Sequence, residues 1–272
     1  MNKQLPIKVI NPANTKLIIV GVGGTGGYLL QQVARLLFAL KEQGNRIPSV
    51  LLIDGDSVES KNLLRQYFLP QDVGKKKAAV LADRYARAYG LNIMAYPEYI
   101  TWDTDFKEIG IEENSIVIGC VDNGSTRKIL HEKLSGFNHV VYIDSGNGSV
   151  TLPDDQEHID RYQLSKIKDS GWSGQVVAGV RAHGQFALPF VGEEMPDMIE
   201  EDRLPTEISC GEVVVSEPQR LLTNLMAATF ILIYLHTLLV DGTILHHRTF
   251  FDARRGYVTC HAAIDSMLEV SV

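Results

Sequence analysis

The chain is poor in cysteine, with three in 272 residues: Cys120, Cys210 and Cys260. An odd number at such wide spacing builds neither a disulfide framework nor a four-cysteine zinc site. That excludes a small stapled secreted domain and implies a reducing, cytoplasmic setting. A basic surplus is also lacking. The formal net charge is −7, whereas nucleic-acid binders carry clustered positive charge, so neither DNA nor RNA is expected as a partner. Residues 1–13 are polar and contain no apolar stretch, so no signal peptide is expected. One stretch lacks charge altogether. Residues 221–240 hold no Asp, Glu, Lys or Arg and are long enough to cross a bilayer. Thr223, Asn224, Thr229, His236 and Thr237 interrupt it, and each would need a partner in lipid. We therefore read a helix buried in a globular core, not a membrane span.

What is present is an alternation of elements. Residues 16–20, 50–53, 93–96, 115–120 and 140–143 are short apolar runs of the kind found in buried parallel strands. Between them, 23–43, 74–89 and 125–134 carry apolar residues at helical spacing. This alternation predicts an α/β fold, a doubly wound, Rossmann-like and mostly parallel sheet. Past Gly148 the pattern weakens. Residues 151–173 are polar and acidic and are read as a surface insertion. A further strand is expected at 175–180, a crossover loop at 195–212, and a long C-terminal helix at 219–240. An antiparallel strand pair, 249–252 and 257–260, would turn at Arg255 and Gly256. No internal repeat divides the chain, so one domain over 1–272 is expected.

Gly21, Gly23, Gly24 and Gly26 stand between the first strand and the first helix. Glycines there allow a tight turn and let backbone N–H groups meet a phosphate at the helix N-terminus. Asp54 ends the next strand, where an acid accepts hydrogen bonds from ribose hydroxyls. A dehydrogenase would share both features. The residues downstream separate the two: Asp56, then Asn62, Arg65 and Gln66, then Lys75, Lys76 and Lys77. A triphosphate site needs the planar fork of arginine and the point charge of lysine, and hydride transfer has no use for them. Asp122 and Asn123 come after the fourth strand, with Arg127 beyond. Asp122 either holds Mg²⁺ against the triphosphate or caps the next helix.

Together these motifs, G-x-G-G-x-G, D-x-D-x-V, N-L-x-R-Q, G-x-x-K-A and D-N-x-x-x-R, resemble the ThiF/MoeB/ubiquitin-activating superfamily over roughly the first 150 residues. Asp144, Gly146, Asn147, Gly174, Gln175 and the run Asn224 to Ala227 resemble ThiF relatives of bacterial PRTRC gene clusters. The resemblance implies an ATP- and Mg²⁺-dependent enzyme that adenylates the C-terminal carboxylate of a small ubiquitin-like protein, acts as a homodimer and has a conjugating-enzyme-like partner. It assigns Asp54 to the ribose, Asn62, Arg65, Gln66 and Lys77 to the phosphates, and Asp122 to Mg²⁺. Cys210 occupies the place of the acyl-accepting thiol in cysteine-using relatives, with packing as the alternative. Cys120 and Cys260 are read as structural.

The sequence departs from the family in three places. It has no paired Cys-x-x-Cys motifs, so no structural zinc is expected. No arginine precedes Arg35, which leaves Lys3 or Lys8 to replace one that some relatives supply from the partner subunit. The 151–173 insertion has no counterpart. The competing readings are adenylation of a peptide, a small acid or a tRNA, and a non-catalytic nucleotide-binding scaffold. His183, His246 and His247 are read as surface or strand-lining histidines, not metal ligands.

Overall fold

Leu17, Ile18, Ile19 and Val20 are all buried, which a strand achieves only with helices over both of its faces. A computed structural model describes residues 7–8, 15–148, 161–200 and 220–263. In chain order these form β1 (Ile7–Lys8), β2 (Leu17–Val20), α1 (Gly24–Glu42), β3 (Val50–Ile53), α2 (Lys77–Tyr89) and β4 (Ile93–Tyr96). Next come β5 (Ser115–Gly119), α3 (Gly124–Leu134), β6 (Val140–Asn147), α4 (Arg161–Asp169), β7 (Ser173–Ala182) and β8 (Gln185–Leu188). The last are α5 (Val191–Glu194), α6 (Leu221–Asp241), β9 (Thr243–Ile244), β10 (His246–Asp252) and β11 (Tyr257–Ala262).

The main sheet runs β11-β10-β7-β6-β5-β2-β3-β4, with β8 also paired to β7. Strands β6, β5, β2, β3 and β4 are parallel, and β7, β8, β10 and β11 join antiparallel. The chain lays down β2, β3 and β4 in one direction and then returns to the other side of β2 for β5. Their carboxyl ends therefore splay around a switch point between β2 and β5, where open α/β sheets bind ligands. Period-two alternation sorts the core into two layers. Leu17 and Ile19 pack with α1, α2 and α6, while Ile18 and Val20 pack with α3 and Phe190.

The differences from the sequence expectation are local. Gly74 does not open a helix. Its φ of +85° is left-handed, its N–H donates to the Val58 carbonyl, and Ser57 and Lys76 form a bridge, so α2 starts at Lys77. Within 151–173, α4 is a helix with no buried residue, and Arg220 ties down its C-terminal end. That guanidinium donates to the carbonyls of Ile167 and Ser170 and lies 4.1 Å from the Trp172 ring centre. Of the crossover loop, 196–199 is one 3₁₀ turn, and 201–212, with Cys210, lies outside the described residues. Strand β8, which pairs antiparallel with β7, has no counterpart in the sequence expectation.

Helix α6 is long and apolar enough to span a membrane, but half of its apolar window is buried inside the protein. Ala228, Ile231, Leu235 and Leu238 are within the core. Two leucines separate the packed helix from the surface one: Leu238 on α6 is fully buried and Leu164 on α4 is 44% exposed. In chemical denaturation, Leu238→Ala should cost about 2–5 kcal/mol, and Leu164→Ala less than about 0.5 kcal/mol.

Candidate active site

The turn from β2 into α1 has no room for side chains. Gly21 adopts φ +84°, and a Cβ on it would lie 2.7 Å from the Cys120 carbonyl oxygen. A Cβ on Gly26 would lie 1.9 Å from the Gly21 carbonyl oxygen, and one on Gly24 would lie 2.2 Å from Asn224 Nδ2. Gly23, the cap position, offers no side chain to the first turn. The opening N–H groups of α1 are thus left to a ligand, and anions are favoured there. Gly21, Gly23 and Gly24 line a cleft at the carboxyl ends of the central strands, as does Asp54. Gly26 lies outside the lining and serves the close packing of α1 on β2.

Asp54 accepts from the backbone N–H of Val22 (2.8 Å) and of Asp56 (2.9 Å), so it braces the glycine turn from below. Burial pushes its carboxyl up to about 6, against the opposing pull of Lys77. Because this folded value lies above the ordinary one, ionising Asp54 opposes folding as pH rises toward about 6. Such a cost suits a group kept for a ligand. Asp56 accepts from Lys77 Nζ at 2.7 Å and from the Tyr99 hydroxyl. Burial would raise its carboxyl, but Lys77 and the two hydrogen bonds hold it below the usual carboxylate range. Lys77 is 5% exposed, whereas Lys75 and Lys76 are exposed. Of the three, Lys77 alone lines the cleft.

Arg65 and Gln66 line the same cleft, carried there by the 3₁₀ turn Ser60–Leu64. The Gln66 amide lies over Gly23, and its buried Oε1 has no partner. Asn62 is buried outside the lining. Its Oδ1 accepts from the Glu59 N–H at 2.8 Å, which makes it the residue that shapes the turn presenting Arg65 and Gln66.

Asp122 is exposed at the cleft's edge. The helix-capping alternative falls to its neighbour, since Asn123 Oδ1 accepts from the Thr126 N–H at 2.8 Å. Arg127 is not a ligand residue but a buried brace. Its guanidinium donates to Asp144 at 3.0 Å and to the carbonyls of Val121 and Ser145, pinning the loop that carries Asp122 to β6. Burial raises the Asp144 carboxyl, while Arg127 and the Tyr142 hydroxyl oppose that rise. Cys120 lies in the cleft floor, and burial pushes its thiol far up. Cys260, expected to pack, is instead exposed on β11.

The cleft also holds residues that the motifs did not assign. Tyr99, on the loop after β4, carries no sequence signal. Thr25 and Ser145 are equally silent. Asn147 and Asn224 matched only by likeness, although Asn224 stands out as an amide in a charge-free run. Asn147 Nδ2 donates to Asn224 Oδ1 at 2.7 Å and to Thr25 Oγ1 at 2.9 Å.

Comparison with known proteins bears on the family and the fold. Over 133 residues the chain is 27% identical to ubiquitin-like modifier-activating enzyme 5 of Dictyostelium discoideum, covering 45% of this chain and 32% of that protein. The same-named enzyme of Oryza sativa subsp. japonica is 27% identical over 145 residues, covering 48% and 31%. The chain thus spans about a third of the length of the curated relatives it matches. Two solved structures share its fold. One is E. coli MccB with ATP, at TM-score 0.57 and 15% identity over 93% of this chain and 65% of that one. The other is PaaA, at TM-score 0.59 and 16% identity over 92% and 64%. The ThiF family model matches residues 11–183, well over half of the sequence, and the chain belongs to the ThiF family.

Proposed function

We propose that this protein uses ATP to adenylate a carboxylate at the end of a small protein or peptide. The observation that carries this reading is one cleft lined by the glycine turn, a ribose-type acid, Arg65, Lys77 and Asp122. A bare helix N-terminus beside two cations fits a triphosphate, and the orphaned Gln66 Oε1 fits a hydroxyl or amine donor. ATP bound to E. coli MccB supports the choice of nucleotide.

In the reaction a carboxylate oxygen bonds to the α-phosphorus, the α–β bridging P–O bond breaks, and pyrophosphate leaves with its electron pair. The carboxylate is already ionised at neutral pH, so no general base is needed. The protein's work is positioning and charge neutralisation. Asp54 accepts from the ribose, and Asp56 and Tyr99 hold the Lys77 ammonium in place. Lys77, Arg65 and the first N–H groups of α1 face the phosphates. Asp122, not needed as a cap, is the residue that would hold Mg²⁺, whose charge favours departure of pyrophosphate. Asp122→Ala should lower Mg²⁺-dependent exchange of pyrophosphate into ATP by about 10²-fold or more without altering the unfolding midpoint. Unchanged exchange would remove Asp122 from the mechanism.

The finer reading is that the substrate is a small ubiquitin-like protein, supported by the name those relatives bear. A peptide is the second reading, supported by the structure of E. coli MccB with AMPCPP and MccA. A cytoplasmic location and a conjugating-enzyme-like partner belong to this proposal as well. So does a homodimer, supported by Phe38, Leu222, Ile233 and Val240, which are exposed on α1 and α6. Light scattering at micromolar concentration should give twice the chain mass, and a monomer's mass counts against the dimer. Thioester transfer to Cys210 completes the proposal. The thiolate attacks the acyl carbon and AMP departs, leaving an adduct that thiols cleave. Cys210→Ala should retain pyrophosphate exchange and lose that adduct on non-reducing gels. Persistence of the adduct would place the acceptor elsewhere.

A further inference from the structure

Lys77 comes to the cleft on α2, while Arg65 and Gln66 come on the segment that follows the 3₁₀ turn Ser60–Leu64. Two separate pieces of chain must therefore hold these side chains in step. Resting on the reading of this cleft as an ATP site, we infer that Arg84 is a positioning residue for phosphate binding. It lies outside the cleft lining and acts by fixing the segment after Gln66 to α2, which sets where Arg65 and Gln66 stand relative to Lys77.

The segment has few other means of holding its place. Leu64 is 87% exposed, and Tyr67, Leu69 and Val73 are exposed too. Of residues 67–76, only Phe68 and Asp72 are buried. Phe68 joins the core, and the Tyr67 hydroxyl accepts from Gln31 Nε2 on α1 at 2.7 Å. Asp72 is an acid, and a buried acid holds a loop down only if it is paired. Its Oδ2 accepts from the Leu69 N–H at 2.7 Å and from the Arg84 guanidinium. The other arm of that guanidinium donates to the Tyr67 carbonyl at 3.0 Å. One planar fork thus grips the segment at two points, beside Gln66 and near Gly74, a task that suits the rigid geometry of arginine. Burial alone would raise the Asp72 carboxyl, but the Leu69 N–H and Arg84 hold it below the usual carboxylate range.

Lys77 and Arg84 stand two turns apart on one face of α2. A single rigid helix therefore carries both the ammonium at the cleft and the clamp on the segment. Without Arg84 the Asp72 carboxylate is left buried with no guanidinium beside it, and its readiest relief is to move into water. Lys75 also attracts Asp72, but it is exposed and solvent screens its charge. Movement of Asp72, together with release of the Tyr67 carbonyl, shifts Gln66 and Arg65 away from Lys77.

The test measures ATP affinity by calorimetry on the full chain. The proteins are wild type, Arg84→Gln, Asp72→Asn, Arg65→Ala/Gln66→Ala, and that last pair with Arg84→Gln added. Arg84→Gln should weaken ATP binding by about fivefold or more. Asp72→Asn should do the same, and it strands no buried acid if Arg84→Gln fails to fold. In the Arg65→Ala/Gln66→Ala background, Arg84→Gln should change ATP affinity by less than about twofold. Adenosine, which has no phosphate, should bind wild type and Arg84→Gln within about twofold of each other by ligand-observed NMR. Undiminished ATP affinity in the single variants overturns the inference and leaves the ATP site standing. An equal loss of ATP and adenosine binding also overturns it, because Arg84 then serves the fold alone. So does a full further loss on top of Arg65→Ala/Gln66→Ala. Failure of wild type to bind ATP overturns the reading of the cleft and this inference with it.

Discussion

The close approach of β2, α1 and α6 around the glycine turn governs the rest of the molecule. With Gly26 against the Gly21 carbonyl and Gly24 against the Asn224 amide, any side chain at these points would push α1 off the sheet. The reward for omitting side chains is a helix N-terminus whose N–H groups are bare and aimed at the switch point of the sheet. Asp54 makes the turn rigid by accepting from Val22 and Asp56 at once. The same carboxylate therefore shapes the glycine turn and lines the cleft.

Charge is arranged around that turn by two different devices. Asp56 and Lys77 form a pair whose lysine is buried while its partner is half-exposed, so the ammonium is presented at the cleft without being stranded. Arg127 and Asp144 are both buried and stand outside the cleft lining. They anchor the loop on which Asp122 sits. A buried ion pair is weak evidence for stability, but here its hydrogen bonds to the Val121 and Ser145 carbonyls fix where the β5 and β6 ends stand relative to each other. Asn123 then caps α3, and Asp122 stays at the cleft.

The late part of the chain completes the early part. Helix α6 packs on α1 and on the sheet, and one residue on it, Asn224, reaches the glycine turn. An apolar helix that buries one amide at its N-terminal end gains no stability from that amide alone. The network with Thr25 and Asn147 satisfies half of its hydrogen-bonding capacity, and it stands at the β6 end of the cleft.

The chain's local rules determined much of this. Apolar four-residue runs fixed β2, β3 and β4, because a strand under two helical layers has no polar face to lose. The glycine spacing located the tight turn from β2 into α1, and the order of Asp54, Arg65, Lys77 and Asp122 identified the family. The resemblance could not separate residues that touch a ligand from residues that build the turn beside it. Asn62 and Gly26 matched their motifs as fully as Gln66 and Gly24, yet stand behind the cleft wall. Arg127, part of the same motif as Asp122, is a brace. Tyr99, Thr25 and Ser145 had no pattern to betray them. Asn224 was visible as an oddity but not as a neighbour of Thr25, 199 residues away. Only tertiary structure decided these points, because hydrogen bonding and burial depend on which chain segments meet, and spacing along the sequence records that only within a single element.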